Sequence, residues 1–201
     1  MLDRFAIAVL EPGLDRAARL IVRAGIGADA VTWTGFAVGL AAAAAIAQQR
    51  FGTGLALLLA SRVADGLDGA VARRTQPTDR GAFLDITLDF LFYASIPLAF
   101  AIADPAANAL AAAVLLAAFI GTGSGFLAYA VLAERRQLAS KAFPAKGIFY
   151  LGGLTEATET IACFVLMCLW PAHFASFAYG FATLCGVTIA TRLFAGWRGL
   201  K

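Results

Sequence analysis

Long apolar stretches alternate with short polar connections along almost the whole chain. A transmembrane helix needs about 20 mostly apolar residues to cross about 30 Å of hydrocarbon, and six stretches meet that requirement. They lie at residues 30–47, 51–72, 82–103, 107–132, 147–170 and 174–195. Because these stretches occupy most of the 201 residues, no separate soluble domain fits between them. The pattern predicts an all-α integral membrane protein with six transmembrane helices.

The segment before the first span has a different pattern. Within residues 14–25, the apolar side chains fall on one side of a helix: Leu14, Ala18, Ile21 and Val22. Charged residues cover much of the rest, which is typical of an amphipathic helix in the membrane interface; a short solvent-exposed helix is the alternative. We therefore expect an amphipathic juxtamembrane segment at 1–27 and a six-helix membrane domain at 28–201.

Composition and charge narrow the class of protein. Hydrophobic residues make up 61% of the chain and charged residues 14%, which excludes a soluble globular domain, since those average about 45–50% and about 25%. A net charge of +3 gives no reason to expect a nucleic-acid partner. The three cysteines show no disulfide pattern and are expected to be packing residues. Lys and Arg flank the even-numbered connections and both chain ends, so the positive-inside rule places both termini in the cytoplasm.

Four aspartates interrupt the second and third apolar stretches near their predicted cytoplasmic ends: Asp65, Asp68, Asp85 and Asp89. A charged residue at the centre of a span costs about 2.5–3.5 kcal/mol on insertion scales, so intramembrane acids are functional by default. Asp65 and Asp68 share one helix face with Arg73, and the other two aspartates are four residues apart on the next helix. Because the connection is short, the helices should be antiparallel neighbours whose carboxylates converge.

Converging carboxylates repel one another unless a cation lies among them. Oxygen ligands without His or Cys suit Mg²⁺ or Mn²⁺ rather than Zn²⁺. Two such ions about 3.5–4 Å apart can hold the attacking and leaving oxygens of a phosphoryl displacement. Arg73 is placed to hold a phosphate by charge-assisted hydrogen bonds. The residue types and spacing predict metal-assisted transfer on a phosphate ester at the cytoplasmic surface.

The aspartates belong to a longer pattern, which reads Asp65-x2-Asp68-Gly69-x2-Ala72-Arg73-x7-Gly81-x3-Asp85-x3-Asp89. It resembles the signature of the CDP-alcohol phosphatidyltransferase family at all eight fixed positions. The resemblance implies the six-span fold after an amphipathic helix. It also implies an enzyme that transfers a phosphatidyl group from CDP-diacylglycerol to an alcohol acceptor, releases CMP, and works as a homodimer in the bilayer.

The resemblance also implies roles for the signature residues. Asp65, Asp68 and Asp85 would hold two divalent ions, Mg²⁺ or Mn²⁺, that bind the pyrophosphate of the donor. Asp89 would be the general base that takes the proton from the acceptor hydroxyl, and it would also lie close to a metal. The residues implied to contact the CDP group and its phosphates are Gly69, Arg73 and Gly81.

A weaker match lies at the start of the first span. Members of the family often carry a Pro-Asn-x-x-Thr element that touches the nucleotide, whereas residues 28–32 read Ala-Asp-Ala-Val-Thr. Thr32 fits this element, Asp29 replaces the asparagine, and the proline is missing. Asp29 either bonds a cytosine or ribose group or serves as a helix N-cap, and the sequence leaves both open.

Two groups of residues are candidates for binding the acceptor. A basic rim either holds a phosphorylated acceptor or is ordinary positive-inside charge; its members are Arg135, Arg136, Lys141 and Lys146. Glu156 and Glu159 in the fifth span are one turn apart and must face protein or water. They either line a pocket for a polyol or cationic alcohol, or form ion pairs between helices with Arg62 or Arg192.

Two other functions stay open at this point. The donor could instead be a CDP-amino-alcohol whose phospho-alcohol group is transferred onto diacylglycerol. A cation- or proton-coupled transporter is the alternative from another class, since intramembrane acids also mark ion pathways. Transport sites usually lie near the midplane between repeats, and the chain shows no repeat.

We expect a multi-pass protein of the inner (cytoplasmic) membrane whose active site faces the cytoplasm.

Overall fold

The computed structural model describes residues 2–135 and 154–199. Within these ranges the chain forms seven α-helices and one short 3-10 helix, Pro171–His173. The α-helices are α1 (Leu2–Arg23), α2 (Ala28–Ala47), α3 (Phe51–Arg74), α4 (Asp79–Ala103), α5 (Pro105–Arg135), α6 (Ala157–Leu169) and α7 (Phe174–Gly199). The predicted all-α class is confirmed for this part of the chain.

Four of the described helical stretches are long and apolar enough to cross a membrane. They are α2, α4, α5 and Pro171–Arg198, which contains most of α7. By length and composition the chain is therefore an integral membrane protein, as the hydrophobic pattern predicts. The count of six spans and the cytoplasmic position of both termini stay predictions.

The other two predicted spans differ from these four in polarity or in length. α3 has 24 residues, enough to cross a bilayer, but it carries Arg62 at its middle and Asp65 and Asp68 in its second half. α6 has only 13 residues, which is about 20 Å of helix against about 30 Å of hydrocarbon. The first part of the predicted span 147–170 lies outside the described residues.

A short connection ends α3 and starts α4 at the same end of the molecule. Pro77 follows the last turn of α3 at the distance where proline commonly stops a helix. Thr78 is the N-cap of α4, where its Oγ1 accepts a 3.0 Å hydrogen bond from the Gly81 backbone N–H. Because of this turn, the aspartates near the end of α3 and those near the start of α4 lie at a similar height along the two helices.

Helix α2 lies against both α3 and α4, which have few direct contacts with each other. Its glycines make this close packing possible, since small residues let helices in membranes approach closely. A Cβ at Gly35 would lie 3.0 Å from Ala64 Cβ on α3, and one at Gly39 would lie 2.7 Å from Phe92 Cδ2 on α4. The two aspartate helices are thus held by α2, with a gap left between them.

Helix α1 packs along the part of α3 that follows the first aspartate. Leu14 lies so close that a Cβ at Gly66 would meet its Cδ1 at 3.1 Å, and Ala18 is fully buried. Arg74 Nη2 donates a 2.7 Å hydrogen bond to Asp15 Oδ2 in an exposed ion pair. The apolar face of α1 thus packs against α3, and its position in the membrane interface stays a prediction.

The main core lies among α2 to α7, and aromatic rings fill its end away from the aspartates. The Phe100 ring stacks on Phe174 at a centroid distance of 4.6 Å and on Phe51 at 5.6 Å. The cysteines are buried in the same cluster as free thiols: Cys163, Cys168 and Cys185. Their predicted role as packing residues is confirmed. Because lipid tails are as apolar as these side chains, close van der Waals packing stabilises this core.

Candidate active site

Three of the predicted metal ligands converge at the gap between α3 and α4. Asp65, Asp68 and Asp85 each offer a carboxylate oxygen, and these three atoms lie within 4.8 Å of one another. Asp65 and Asp68 come from successive turns of α3, and Asp85 reaches across from the second turn of α4. Oxygen atoms at such a separation can ligate one small cation together.

The chemistry of this group fits a divalent ion. Asp68 is only 6% exposed, and its Oδ2 is buried without a hydrogen-bond partner among the described residues. A buried charged oxygen without a partner is costly, and a bound cation would satisfy it. Mg²⁺ and Mn²⁺ prefer an all-oxygen set of this kind.

An open cleft adjoins the three carboxylates. Its lining comes from α2, α3 and α4. The lining residues are Thr32, Gly35, Phe36, Arg62, Asp65, Asp85, Leu88 and Asp89. The cleft therefore combines carboxylates and one guanidinium with apolar walls, an arrangement suited to a substrate that has both a charged and a lipid part.

Asp89 faces the same cleft and forms a close ion pair with Arg62. Its Oδ1 accepts a 2.7 Å hydrogen bond from Arg62 Nη1, and the same nitrogen lies 3.4 Å from Asp65 Oδ1. Arg62 thus stands between the two carboxylates that lie deepest in α3 and α4. Of the two ion pairs left open for the fifth-span glutamates, the one with Arg62 is not formed among the described residues, because Arg62 pairs with these aspartates instead.

The predicted donor contacts lie toward the connection between α3 and α4. A Cβ at Gly69 would lie 3.4 Å from Arg73 Nη1, so the guanidinium of this exposed arginine covers the glycine. A Cβ at Gly81 would lie 3.2 Å from Thr78 Oγ1 and 3.5 Å from Asp29 Oδ1. Gly81 therefore allows the starts of α2 and α4 to approach closely.

Thr32 and Asp29 lie on the first turns of α2. Thr32 lines the cleft, and its side chain lies next to the Asp68 carboxylate. Asp29 is inside the helix, since Gly27 is the N-cap and no side chain caps this end. The N-cap alternative for Asp29 is therefore wrong. Its carboxylate instead pairs with Arg80, a mostly exposed residue of the first turn of α4.

The two predicted acceptor glutamates start a helix. Glu156 is the N-cap of α6 and Glu159 is its N3 residue, and each side chain accepts from the backbone N–H of the other in a capping box. Just before them, the Thr155 hydroxyl donates a 3.0 Å hydrogen bond to Thr188 Oγ1 of α7. The polar patch in this stretch is thus explained by a helix N-terminus, where polar side chains are expected.

The basic rim is described only in part. Arg135 is exposed as the last residue of α5, whereas Arg136, Lys141 and Lys146 lie outside the described residues. Arg192 on α7 donates a 3.1 Å hydrogen bond to the Thr122 carbonyl on α5. The sequence pattern did not mark Thr188, and it gave Arg62 only as a candidate partner of the fifth-span glutamates, although the i, i+3 spacing from Arg62 to Asp65 is a visible signal for an ion pair.

The fold and cleft together define an integral membrane protein with a carboxylate-rich centre between helix ends. The sequence model of the CDP-alcohol phosphatidyltransferase family matches residues 26–192. The chain belongs to this family and is an enzyme of that class.

Two relatives differ in how much of the chain they match. The inner membrane protein YnjF of Escherichia coli is 49% identical over 201 residues, covering 100% of this chain and 98% of its own. The archaetidylinositol phosphate synthase of Methanothermobacter thermautotrophicus is 54% identical over 70 residues, covering 34% of this chain and 36% of its own. The first likeness therefore extends over the entire membrane domain.

Solved structures of the Mycobacterium tuberculosis phosphatidylinositol phosphate synthase share the fold. The form with CDP-DAG bound is 22% identical with a TM-score of 0.68, over 92% of this chain and 93% of that one. The complex with manganese and citrate has a TM-score of 0.71 at 22% identity, over 92% and 88%.

Proposed function

We propose that this enzyme transfers a phosphatidyl group from CDP-diacylglycerol to an alcohol acceptor and releases CMP, as a step of phospholipid synthesis. The observation that carries the proposal is the meeting of Asp65, Asp68 and Asp85 at a cleft that Asp89 also lines. The M. tuberculosis synthase of the same fold, whose structure has CDP-DAG bound, supports this donor.

The charge of the site favours two divalent ions over one. When all are ionised, the four aspartates and Arg62 carry a net charge of −3, which would repel a diphosphate. One divalent ion leaves −1, whereas two give +1 and so attract the donor. Asp65, Asp68 and Asp85 would hold these ions, with Asp89 close by. When bound, Mg²⁺ or Mn²⁺ would neutralise phosphate charge and make the acceptor hydroxyl more acidic.

Asp89 has the proton-transfer role in this proposal. Its carboxylate takes the proton of the acceptor hydroxyl, whose oxygen attacks the phosphorus attached to diacylglycerol. The bond between that phosphorus and the CMP oxygen breaks, and CMP leaves with the electron pair. No covalent intermediate with the enzyme is needed.

The remaining residues bind and orient the two substrates. Arg73 holds donor phosphate, and Gly69 and Gly81 leave room for it beside the backbone. Asp29 and Thr32 bond the cytosine or ribose part from the start of α2. The apolar wall of the cleft, formed by Phe36 and Leu88, suits the lipid side of the donor.

For the acceptor, the basic rim favours a phosphorylated alcohol. Arg135, Lys141 and Lys146 would hold its phosphate, and the presence of an archaetidylinositol phosphate synthase among the relatives supports this choice. Glu156 and Glu159 already serve the α6 cap, so any contact they make with an acceptor hydroxyl is secondary to that role.

We further propose a homodimer in the inner membrane with the cleft open to the cytoplasm. The name of the E. coli relative, an inner membrane protein, supports the location, and the positive-inside pattern supports the orientation. The juxtamembrane segment 1–27 and the membrane domain 28–201 would then form one catalytic unit.

The test is CMP release from CDP-diacylglycerol by the purified full-length protein, with Mg²⁺, with Mn²⁺ and with a chelator. Glycerol 3-phosphate, inositol phosphate, inositol, serine, choline and phosphatidylglycerol are offered one at a time. We expect metal-dependent CMP release with one of these acceptors, and we expect that acceptor to be phosphorylated. No release with any acceptor, together with release from a CDP-amino-alcohol in the presence of diacylglycerol, would reverse the donor assignment.

A further inference from the structure

Arg62 is the one guanidinium lining the described cleft, and the family signature does not include it. Its side chain is only 10% exposed although it lies on a predicted membrane-spanning helix. A charged side chain inside a membrane is expensive and marks function unless it has partners. The contacts that Arg62 makes therefore indicate what it does in the site.

The guanidinium is held by contacts on different sides. Its carbon lies 3.7 Å from the centroid of the Phe92 ring, in cation–π geometry. Nη2 donates to Ser61 Oγ at 3.2 Å. The Ser61 hydroxyl is fully buried and donates in turn to the Gly35 carbonyl at 2.8 Å, which connects Arg62 to the backbone of α2.

A further contact is the hydrogen bond from Nη1 to Asp89 Oδ1 at 2.7 Å. Asp89 and Phe92 are three residues apart on α4, so one guanidinium binds a carboxylate and a ring on the same helix face. Because α3 and α4 have few direct contacts, this bridge is one of the links that set how far Asp89 lies from the α3 carboxylates. A planar guanidinium fixed on several sides restrains the carboxylate it binds in direction as well as in distance.

We propose that Arg62 is the positioning residue for Asp89: it binds one carboxylate oxygen and so directs the other toward the acceptor hydroxyl. The inference rests on the base role assigned to Asp89 under the proposed function. In this role Arg62 acts through Asp89 and not on a substrate: its Nε is buried, and Nη1 and Nη2 each already donate a hydrogen bond to a protein group.

A second role, assembly of the metal centre, predicts different behaviour. Arg62 Nη1 is also 3.4 Å from Asp65 Oδ1, so loss of Arg62 could instead disturb the three-carboxylate group. In that case metal affinity would fall together with turnover. If Arg62 acts through Asp89, turnover falls while metal affinity is not lost and the KM of the donor changes little.

The experiment compares Arg62→Gln, Arg62→Lys and Ser61→Ala with Arg74→Gln in the full-length protein. Arg74 is the matched control, because it is an α3 arginine whose ion pair with Asp15 lies outside the cleft. The kcat, the KM of each substrate and the Mn²⁺ affinity are measured for each variant. A misplaced catalytic group costs up to about 100-fold in rate, so we expect a kcat loss of that order for Arg62→Gln.

The variants should fall into a graded series. Arg62→Lys keeps the positive charge but loses the planar set of guanidinium N–H donors, so its kcat should lie between those of wild type and Arg62→Gln. Ser61→Ala removes one restraint and should cost about tenfold or less, and Arg74→Gln should stay within about twofold of wild type. Mn²⁺ affinity should not fall in any variant, because the three carboxylates stay in place, and it should rise in Arg62→Gln, which removes a positive charge 3.4 Å from Asp65 Oδ1.

A double-mutant cycle distinguishes positioning from general damage. In an Asp89→Asn background, Arg62→Gln should cause no further loss of residual turnover, because a positioning residue has nothing left to position. Additive losses, an unchanged kcat in Arg62→Gln, or Mn²⁺ affinity that falls with kcat would each overturn the proposal. If wild type releases no CMP from any substrate, the proposed function fails. The interaction between Arg62 and Asp89 is then tested by a double-mutant cycle in thermal unfolding, and a coupling free energy of zero would overturn the positioning proposal as well.

Discussion

The Asp68 Oδ2 atom is buried and has no hydrogen-bond partner within residues 2–135 and 154–199. We therefore expect Asp68→Asn to change the stability of the protein in opposite directions without and with metal. Asp68→Asn removes a buried charge, and leaving a buried polar atom such as its Oδ2 without a hydrogen-bond partner costs about 1–3 kcal/mol or more. Without metal, the variant should therefore be at least as stable as wild type. With metal, it should be less stable, because one of three converging ligands has lost its charge.

The size of the metal effect follows from linkage. Changes around metal ligands typically cost about 10–100-fold in affinity, and loss of a ligand charge should reach at least the upper end. At a metal concentration of about 100 Kd, wild type gains about 2.7 kcal/mol. A variant whose Kd is about 100-fold higher gains only about 0.4 kcal/mol at the same concentration.

The assay is thermal unfolding in detergent at fixed Mn²⁺ and in chelator, followed by tryptophan fluorescence. Asp79→Asn is the matched control, because Asp79 is exposed in the first turn of α4 and is not among the residues lining the cleft. It should keep the full metal-dependent rise in melting temperature. If Asp68→Asn keeps that rise too, or melts well below wild type in chelator, the reasoning about the site is refuted.

The remaining predictions concern packing and the α6 cap. Gly39→Ala should destabilise the protein by about 1–3 kcal/mol through overpacking against Phe92, since the added Cβ would lie 2.7 Å from that ring; Gly52→Ala, with nothing within 4 Å, should not. Equal melting temperatures for the two would contradict this packing account. Glu159→Ala should cost about 0.5–2 kcal/mol by breaking the cap with Glu156, whereas Glu159→Gln should preserve it; a Gln variant as unstable as the Ala variant would show that charge, not capping, matters.

The convergence of the aspartates could be predicted because it depends on local rules. Asp65 and Asp68 share a helix face by spacing alone, and a short connection with Pro77 and Thr78 brings Asp85 to the same level. The sequence does not show that α2 separates the two helices, because that depends on where Gly35 and Gly39 pack. The gap between α3 and α4 is a tertiary feature without a signature in the pattern of either helix.

The contacts that sequence reasoning missed depend on partners distant in the chain. Arg62 pairs with Asp89, 27 residues away, and Asp29 pairs with Arg80, 51 residues away. Spacing on one helix cannot reveal such pairs. The start of α6 is different: Glu156 and Glu159 carry a capping-box spacing that could have been found, but the apolar residues on both sides favoured one continuous span.

The central claim is that the three-carboxylate group and Asp89 together catalyse transfer from CDP-diacylglycerol. The most direct measurement is the rate of CMP release by wild type, Asp85→Asn, Asp89→Asn and the control Asp79→Asn, assayed side by side with Mn²⁺ and the acceptor that supports turnover. The account predicts activity in wild type and the control, and a loss of at least about 100-fold in both site variants. Site variants that release CMP as fast as the control would contradict it.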